Sequence, residues 1–287
     1  MTGSILQLDL KARDLTCAFN ADRTRAVTGV IGLTARIWDT VTGELIREFA
    51  GHTNRIWGVA WNGSRILTGS RDATARLWNA DTGECLHVLE GHTAFVRSAE
   101  FSGGDGAYAI TGSQDRDARV WDLATGACVR TFSGHLDSAY CGVVTTDGAQ
   151  AISGSRDGTL RVWDVATGEA VRVIEAHQYH VQHLAWGGPR EDRVASCSQH
   201  IALWDVATGE CLQAFEGHQE TIRSVEFTAD YTRLVSACHD RTVKVWDVAS
   251  GKCLDTYKGK SLFVMASWLP GEGSVIAADE QARLYRF

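Results

Sequence analysis

The sequence predicts an all-β protein: a seven-bladed β-propeller of four-stranded antiparallel blades, closed by an N-terminal strand that completes the last blade. Three observations predict it. A stretch from Gly51 to Glu90 recurs in near-copies along most of the chain, with the same landmarks in order: Gly-His, an apolar run, a small-residue turn with Asp, Trp-Asp, then Thr-Gly-Glu. Each copy divides into four short apolar runs, the content of one four-stranded unit. The two chain ends read as parts of one further copy.

The Trp near the end of each copy falls at Trp38, Trp78, Trp121, Trp163, Trp204 and Trp246, giving spacings of 40, 43, 42, 41 and 42. A degraded seventh copy puts Tyr285 in that place, 39 residues after Trp246. A period of roughly 40–45 residues with Gly-His and Trp-Asp landmarks marks a propeller blade. Within the copy at 51–90, Ile56 to Trp61 is the first run and Asn62-Gly63 breaks it. Arg65 to Thr68 is the second, Thr74 to Trp78 the third and Cys85 to Leu89 the fourth, separated by turns at Ser70-Arg71-Asp72 and Ala80 to Gly83. Strands this short between turn residues indicate an all-β fold. Helical periodicity is absent, and the two prolines, Pro189 and Pro270, fall in the weaker copies.

Taken in order, blade 1 (about 11–50) has no Gly-His, and Gly32 stands where other blades carry Asp. Blades 2, 3 and 4 (about 51–90, 91–133 and 134–175) are the most regular. Blade 5 (about 176–216) is shortened: Ser196 lies eight residues before Trp204, whereas Ser153 lies ten before Trp163, and its turn Gln199-His200 has lost the Asp. Blade 6 (about 217–258) is regular again, and blade 7 joins about 259–287 to 1–10. Met1 to Leu8 looks like Ala207 to Leu212, and reading Tyr285-Arg286-Phe287 into Met1-Thr2-Gly3 reproduces the Trp-Asp-Val-Ala-Thr-Gly frame. Residues 4–10 are therefore expected to form the outer strand of the last blade, which leaves no open edge. The seven blades are expected to use all 287 residues as one domain, 1–287.

A net charge of −7, from 28 basic and 35 acidic residues, argues against bulk binding to nucleic acid or anionic membrane. No basic-then-apolar leader and no run of membrane-spanning length occur, so a cytoplasmic, monomeric propeller away from membranes is expected. Of eight cysteines, Cys85, Cys128, Cys211 and Cys253 occupy one repeat position, which Leu45, Ala170 and Ile5 fill elsewhere. Equivalent places in separate blades are too far apart to bridge. With no Cys-x-x-Cys pair, cysteine reads as a small apolar strand residue, and no metal or cofactor is expected.

Motif, order and period over six copies resemble the Trp-Asp (WD) repeat family across essentially the whole chain. The resemblance implies a buried polar network in each regular blade: His52, Thr68, Asp72 and Trp78 in blade 2; His92, Thr111, Asp115 and Trp121 in blade 3; His135, Ser153, Asp157 and Trp163 in blade 4; His218, Ser236, Asp240 and Trp246 in blade 6. The hydroxyl, imidazole and carboxylate that look like a hydrolase triad recur once per blade beside a Trp, so they read as scaffold and no catalytic residue is assigned. The resemblance also implies that partners bind on the face carrying the Gly-His loops, at the mouth of the central channel. Starts of innermost strands supply Trp57, Arg97, Tyr140, Gln182, Arg223 and Val264; two residues earlier lie Arg55, Phe95, Ser138, His180, Thr221 and Leu262. The place before the turn Asp supplies Arg71, Gln114, Arg156 and His239.

These places differ between copies, and they are rich in the residues that dominate interface hot spots. Arg also forks onto carboxylate or phosphate. By contrast, the basic residues two before each Trp (Arg36, Arg76, Arg119, Arg161, Lys244, and Arg283 before Tyr285) recur and read as scaffold. His177, His180 and His183 alternate faces of a strand and cannot converge on a metal. Trp61, Phe101, Trp186, Phe227 and Trp268, with Phe19 and Val144, share one position and read as packing between blades.

The reading is a non-catalytic protein–protein interaction scaffold that binds a peptide or protein partner at the channel mouth, with an acidic or phosphorylated segment favoured. The alternatives are a binding module for a phosphate-rich ligand or nucleic acid, and a propeller enzyme. Against the enzyme, no nucleophile–base pair or Gly-rich phosphate loop exists outside the repeat-structural residues.

Overall fold

The four runs of each copy fold as four antiparallel strands. In blade 2 these are Ile56–Asn62, Arg65–Ser70, Ala75–Asn79 and Cys85–Leu89, hydrogen-bonded in that order. Seven such four-stranded sheets make up the protein. The structure, a computed structural model, describes residues 4–7 (as backbone), 16–29, 33–102, 106–188, 190–271 and 273–287, and no described residue is helical. Gly32, Pro189 and positions 8–10 of the expected outer strand lie outside the described residues.

Burial falls from the axis outward. The second strand of blade 2, Arg65–Ser70, is buried from its second residue on, while the outermost strand of blade 4, Ala170–Glu175, buries only Ile174. First strands of neighbouring blades lie side by side, so Val96–Phe101 touches both Ile56–Asn62 and Ala139–Val144. That closeness leaves no room at Gly58, where a Cβ would come within 2.9 Å of the Ser98 Cα.

The core lies between blades rather than within them. One cluster joins Val27, Ile37 and Phe49 of blade 1 to Ile66 and Trp78 of blade 2, with Trp61 against it. The outer-strand Phe of one blade meets the Trp of the next: Phe49–Trp78 at 5.7 Å, Phe132–Trp163 at 5.0 Å and Phe215–Trp246 at 6.0 Å. Burying each such ring contributes on the order of 2–3 kcal/mol, so the seams carry much of the stability.

Blade 7 departs from the register expected for it. On the outer edge Ser4–Gln7 pairs antiparallel with Arg283–Arg286, and Ile5 faces Tyr285 as Cys253 faces Trp246. On the inner edge Phe287 and Val275 exchange both backbone bonds, at 2.9 and 3.1 Å, in the place where Trp246 faces Leu234. The turn agrees: Ala282 (φ 61°) bonds back to Asp279 as Arg241 (φ 66°) bonds back to Cys238. Phe287, not Tyr285, therefore holds the Trp place, Tyr285 holds that of Lys244, and Arg283 is not one of the recurring basic residues. Tyr285 and Phe287 stack at 5.8 Å, and the Tyr285 hydroxyl donates to the fully buried Asp279 at 2.8 Å.

Deleting residues 1–7 would leave Arg283–Arg286 as an unpaired edge. A lower melting temperature and concentration-dependent association, read by light scattering, are the expected outcome; a truncated chain that melts and scatters like the full one would show that the seam does not need this strand.

Candidate functional site

Two polar systems sit on the face that carries the Gly-His loops. The first is internal to the blades. In blade 2 the buried Trp78 indole donates to Thr68 Oγ1 at 2.9 Å, Thr68 Oγ1 lies 2.7 Å from His52 Nε2, and His52 Nδ1 lies 2.7 Å from Asp72 Oδ2. Asp72 also accepts from the amides of Thr53 (3.0 Å) and Thr74 (3.0 Å). A carboxylate can only accept and an indole can only donate, so one direction of bonding satisfies every group: Nδ1–H to Asp72, hydroxyl to Nε2, indole to hydroxyl. Burial alone would raise the Asp72 carboxyl, but hydrogen bonds from Thr74, Thr53 and His52 outweigh it and hold it at about 2. Burial pushes the His52 imidazole below its ordinary value against the pull of Asp72, keeping it neutral.

The same chain of bonds runs at 2.8, 2.8 and 2.8 Å through Trp121, Thr111, His92 and Asp115. It runs at 2.8, 2.7 and 3.1 Å through Trp163, Ser153, His135 and Asp157. In blade 6 it runs at 2.9, 2.8 and 2.7 Å through Trp246, Ser236, His218 and Asp240. Among the described residues of blade 1 the bond from Trp38 to Thr28, at 2.9 Å, is the part of this network present. Blade 5 keeps Trp204, Ser196 and His177 but has no Asp, so His177 Nδ1 is buried without a partner. Burial and the nearby His200, whose ring centre is 4.7 Å away, push His177 down to about 3.

Among the described residues one set has its ligating atoms within 4.8 Å of one another: His218, Cys238 and Asp240. His218 and Asp240 are bonded to each other, and burial pushes the Cys238 thiol up to about 12. Cys238 accepts from the Asp240 amide at 3.3 Å just as Ser70 accepts from Asp72, so this set is the blade 6 network with Cys in place of Ser.

A family profile described as WD domain, G-beta repeat matches residues 43–79, 83–122, 126–164 and 209–247, more than half of the chain. The chain belongs to the WD-repeat family. No curated protein is a significant match. The four matched stretches end one residue past Trp78, Trp121, Trp163 and Trp246, the four blades with a complete polar network. Each WD repeat thus begins on the outer strand of one blade and runs through three strands of the next: 43–79 takes in Leu45–Ala50 and then Ile56–Asn62, Arg65–Ser70 and Ala75–Asn79. The Asp of Trp-Asp has its own task, since Asp39, Asp122, Asp164, Asp205 and Asp247 each accept from turn amides at 2.7–3.0 Å. WD propellers are generally protein-interaction scaffolds.

The second polar system is the mouth of the channel. Trp57, Arg97, Tyr140, Gln182, Arg223 and Val264 all line one cavity of about 140 Å3 at the axis. The Arg97 guanidinium lies 4.4 Å from the Trp57 ring centre and 4.3 Å from that of Tyr140, so it packs against two aromatic rings. Arg55 approaches Trp57 at 5.4 Å, and Arg71 lies 4.2 Å from the Phe95 ring centre. Tyr140 meets His180 edge-on at 5.5 Å, and Arg156 Nε donates to His180 Nε2 at 3.2 Å while standing 3.7 Å from Asp137. Arg223 donates to the Gln182 side chain at 3.0 Å. Backbone bonds bring the remaining residues alongside: the amides of Arg71, Gln114, Arg156 and His239 donate to the carbonyls of Arg55, Phe95, Ser138 and Thr221 at 2.8–3.0 Å. Glu280 bonds to Leu262 in the same way, so blade 7 presents an acid where other blades present Arg, Gln or His.

By contrast, the recurring basic residues stay with their own blades. Arg36 pairs with Glu48 at 2.7 Å, Arg76 and Arg161 stand over Trp78 and Trp163, and Lys244 donates to Thr256. His177, His180 and His183 go separate ways, to the blade 5 network, the mouth and the channel wall.

The channel below the mouth holds Glu100, which goes unmarked in the sequence, and His183, which is weighed there only as a metal ligand. Burial pushes Glu100 up to about 8, and burial with the charge of Arg223 pushes His183 down to about 4. The signal for Glu100 was partial: in the strand pairing its place is that of Ala60, Val143 and Ala185 in other blades, but also of Glu226 in blade 6.

Asp157→Ala removes the acceptor of His135 and of the Leu136 amide, and a stability loss of about 2–4 kcal/mol is expected. An unchanged denaturation midpoint would refute the role of this carboxylate.

The perturbed groups also set the pH response. His177 and His183 have folded values below the ordinary one, so their contribution is complete above about pH 6.5 and is lost as pH falls toward 4. Glu100 has a raised value, so its contribution is complete below about pH 4.5 and is lost as pH rises through about 8. Glu100→Gln should therefore be more stable than the parent at pH 8 and no more stable at pH 4, by urea titration at both.

Proposed function

We propose that this WD protein is a non-catalytic scaffold that docks an acidic or phosphorylated segment of a protein partner over the mouth of its channel. The observation that carries this reading is Arg97, held between the rings of Trp57 and Tyr140. A guanidinium packed against two rings is held in place and offers its N–H edge to a partner. That edge makes two-point contacts with carboxylate or phosphate, and its side-chain freedom has already been lost before a partner arrives. Arg55 and Arg71 each lie over one aromatic ring, and Arg156 is bonded to His180. In a chain of net charge −7, this concentration of cations and aromatics favours a partner of opposite sign.

The hydroxyl–imidazole–carboxylate sets support binding rather than chemistry. Each hydroxyl already faces both an indole and an imidazole inside its blade. It is not free to attack a substrate.

Fluorescence anisotropy with labelled peptides rich in Glu or phosphoserine tests the reading. Arg97→Glu/Arg223→Glu is expected to weaken binding more than tenfold with little change in melting temperature, and added salt is expected to weaken the parent's binding. Equal affinity for parent and double variant would move docking off the mouth.

A further inference from the structure

The mouth is only the upper end of a cavity whose lining changes from basic to acidic residues with depth. Arg97 and Arg223 stand at its top, and Glu100, three residues further along the innermost strand of blade 3, stands below them. Three residues of strand span about 10 Å. Glu100 also borders a second cavity toward the other end of the channel, together with Ala60, Glu226 and Ser267. The two acids differ. Glu226 is engaged, by Arg23 at 3.2 Å and Ser267 at 2.6 Å. Among the described residues no hydrogen bond or ion pair reaches the Glu100 carboxyl, which is half-buried on the channel wall.

Two polar atoms on the cavity wall are buried without a partner, Trp57 Nε1 and His183 Nδ1. Buried polar groups are bonded as a rule, so several orphans around one cavity mark a place where something else supplies the bonds. About 140 Å3 has room for roughly ten water-sized groups, which is a small molecule rather than a folded segment.

We propose that this channel segment binds a small free zwitterion, a linear ω-amino carboxylate, with its carboxylate between Arg97 and Arg223 and its ammonium at Glu100. The order of charges selects it. A simple cation would have to pass two guanidiniums, and a simple anion would leave Glu100 unanswered. A chain of roughly five or six carbons spans the distance between the two ends. The Trp57 N–H donates to the carboxylate, and the small residues Ala18 and Ala60, which line the lower cavity with Glu100, leave room for the amine. The proposal goes beyond docking of a partner on the mouth and does not depend on it.

The binding step leaves a proton signature. The charged and titratable groups around Glu100 are Arg97 on its own strand, Cys141 on the adjacent innermost strand of blade 4, His183 on that of blade 5, and Arg223 and Glu226 on that of blade 6 across the channel. Without ligand Glu100 is protonated at pH 7, because burial pushes it up to about 8. An ammonium arriving there favours the ionised form, so a proton is released.

Titration calorimetry of the full chain at pH 7, in two buffers of different ionisation heat, tests this with 6-aminohexanoate, hexanoate and hexylamine. The expected result is binding of 6-aminohexanoate with release of close to one proton, and at least tenfold weaker binding of each singly charged control. Glu100→Gln is expected to abolish the proton release and weaken binding at least tenfold. Trp57→Phe, which keeps the ring on Arg97 and removes only the N–H, is expected to weaken binding with its melting temperature retained. Hexanoate binding as tightly as 6-aminohexanoate with no proton release would overturn the proposal in favour of an anion site. Absence of heat with all three, or equal binding by Glu100→Gln, would overturn it in favour of a water-filled channel.

Discussion

The structure depends on one obligatory bond, from a buried indole to a hydroxyl ten residues earlier. A tryptophan buried to this depth must place its N–H somewhere, and an indole cannot accept in return. Thr28, Thr68, Thr111, Ser153 and Ser236 answer it at 2.8–2.9 Å, and Ser196 does so from eight residues away. The bond ties the third strand of a blade to its second. The histidine then ties the loop before the first strand to the same hydroxyl, and the aspartate ties the turn to both. Where a member is missing the rest is not rebuilt: His177 is left with an idle nitrogen, and blade 7 abandons the scheme for a direct tyrosine–aspartate bond. The Trp also faces outward from its own blade onto its neighbour's Phe, so the local network and the seam between blades share one side chain.

Most of the fold was legible in the sequence because its signals repeat. Trp38, Trp78, Trp121, Trp163, Trp204 and Trp246 could be located by spacing alone, and the missing Asp of blade 5 could be read from Gln199-His200. Blade 7 was misread by two residues for a physical reason. A strand repeats its faces every two residues, so Tyr285 and Phe287 point the same way and either ring fits an aromatic pattern. Only the bonds to Val275 and the turn at Ala282 distinguish them.

The site divides in the same way. Arg97, Trp57 and Tyr140 stood out as differences between equivalent positions, although their stacking is a property of neighbouring blades that no single copy displays. Glu100 goes unmarked in the sequence, and His183 is weighed there only as a metal ligand, because on a half-buried strand a polar residue reads as an ordinary outward position. Here that position faces a lumen, and a ring of strands turns what would be solvent into an enclosed space. The same closure makes the mouth electropositive above and the lumen acidic below, two environments separated by one stretch of strand.

The repeat in the sequence is one strand out of step with the blade in space. Each unit gives its first strand to the blade before it, as 43–79 does, and borrows the last strand of its own blade from the unit after it. Every junction in the ring is therefore the same junction, and gaining or losing a whole unit of about 42 residues would create no new kind of contact. The near-identity of 162–169 and 203–210 fits a ring assembled in this way. Such a chain can copy its scaffold freely while the few residues at the start of each innermost strand diverge, so that the rim becomes the variable part of an otherwise interchangeable wheel.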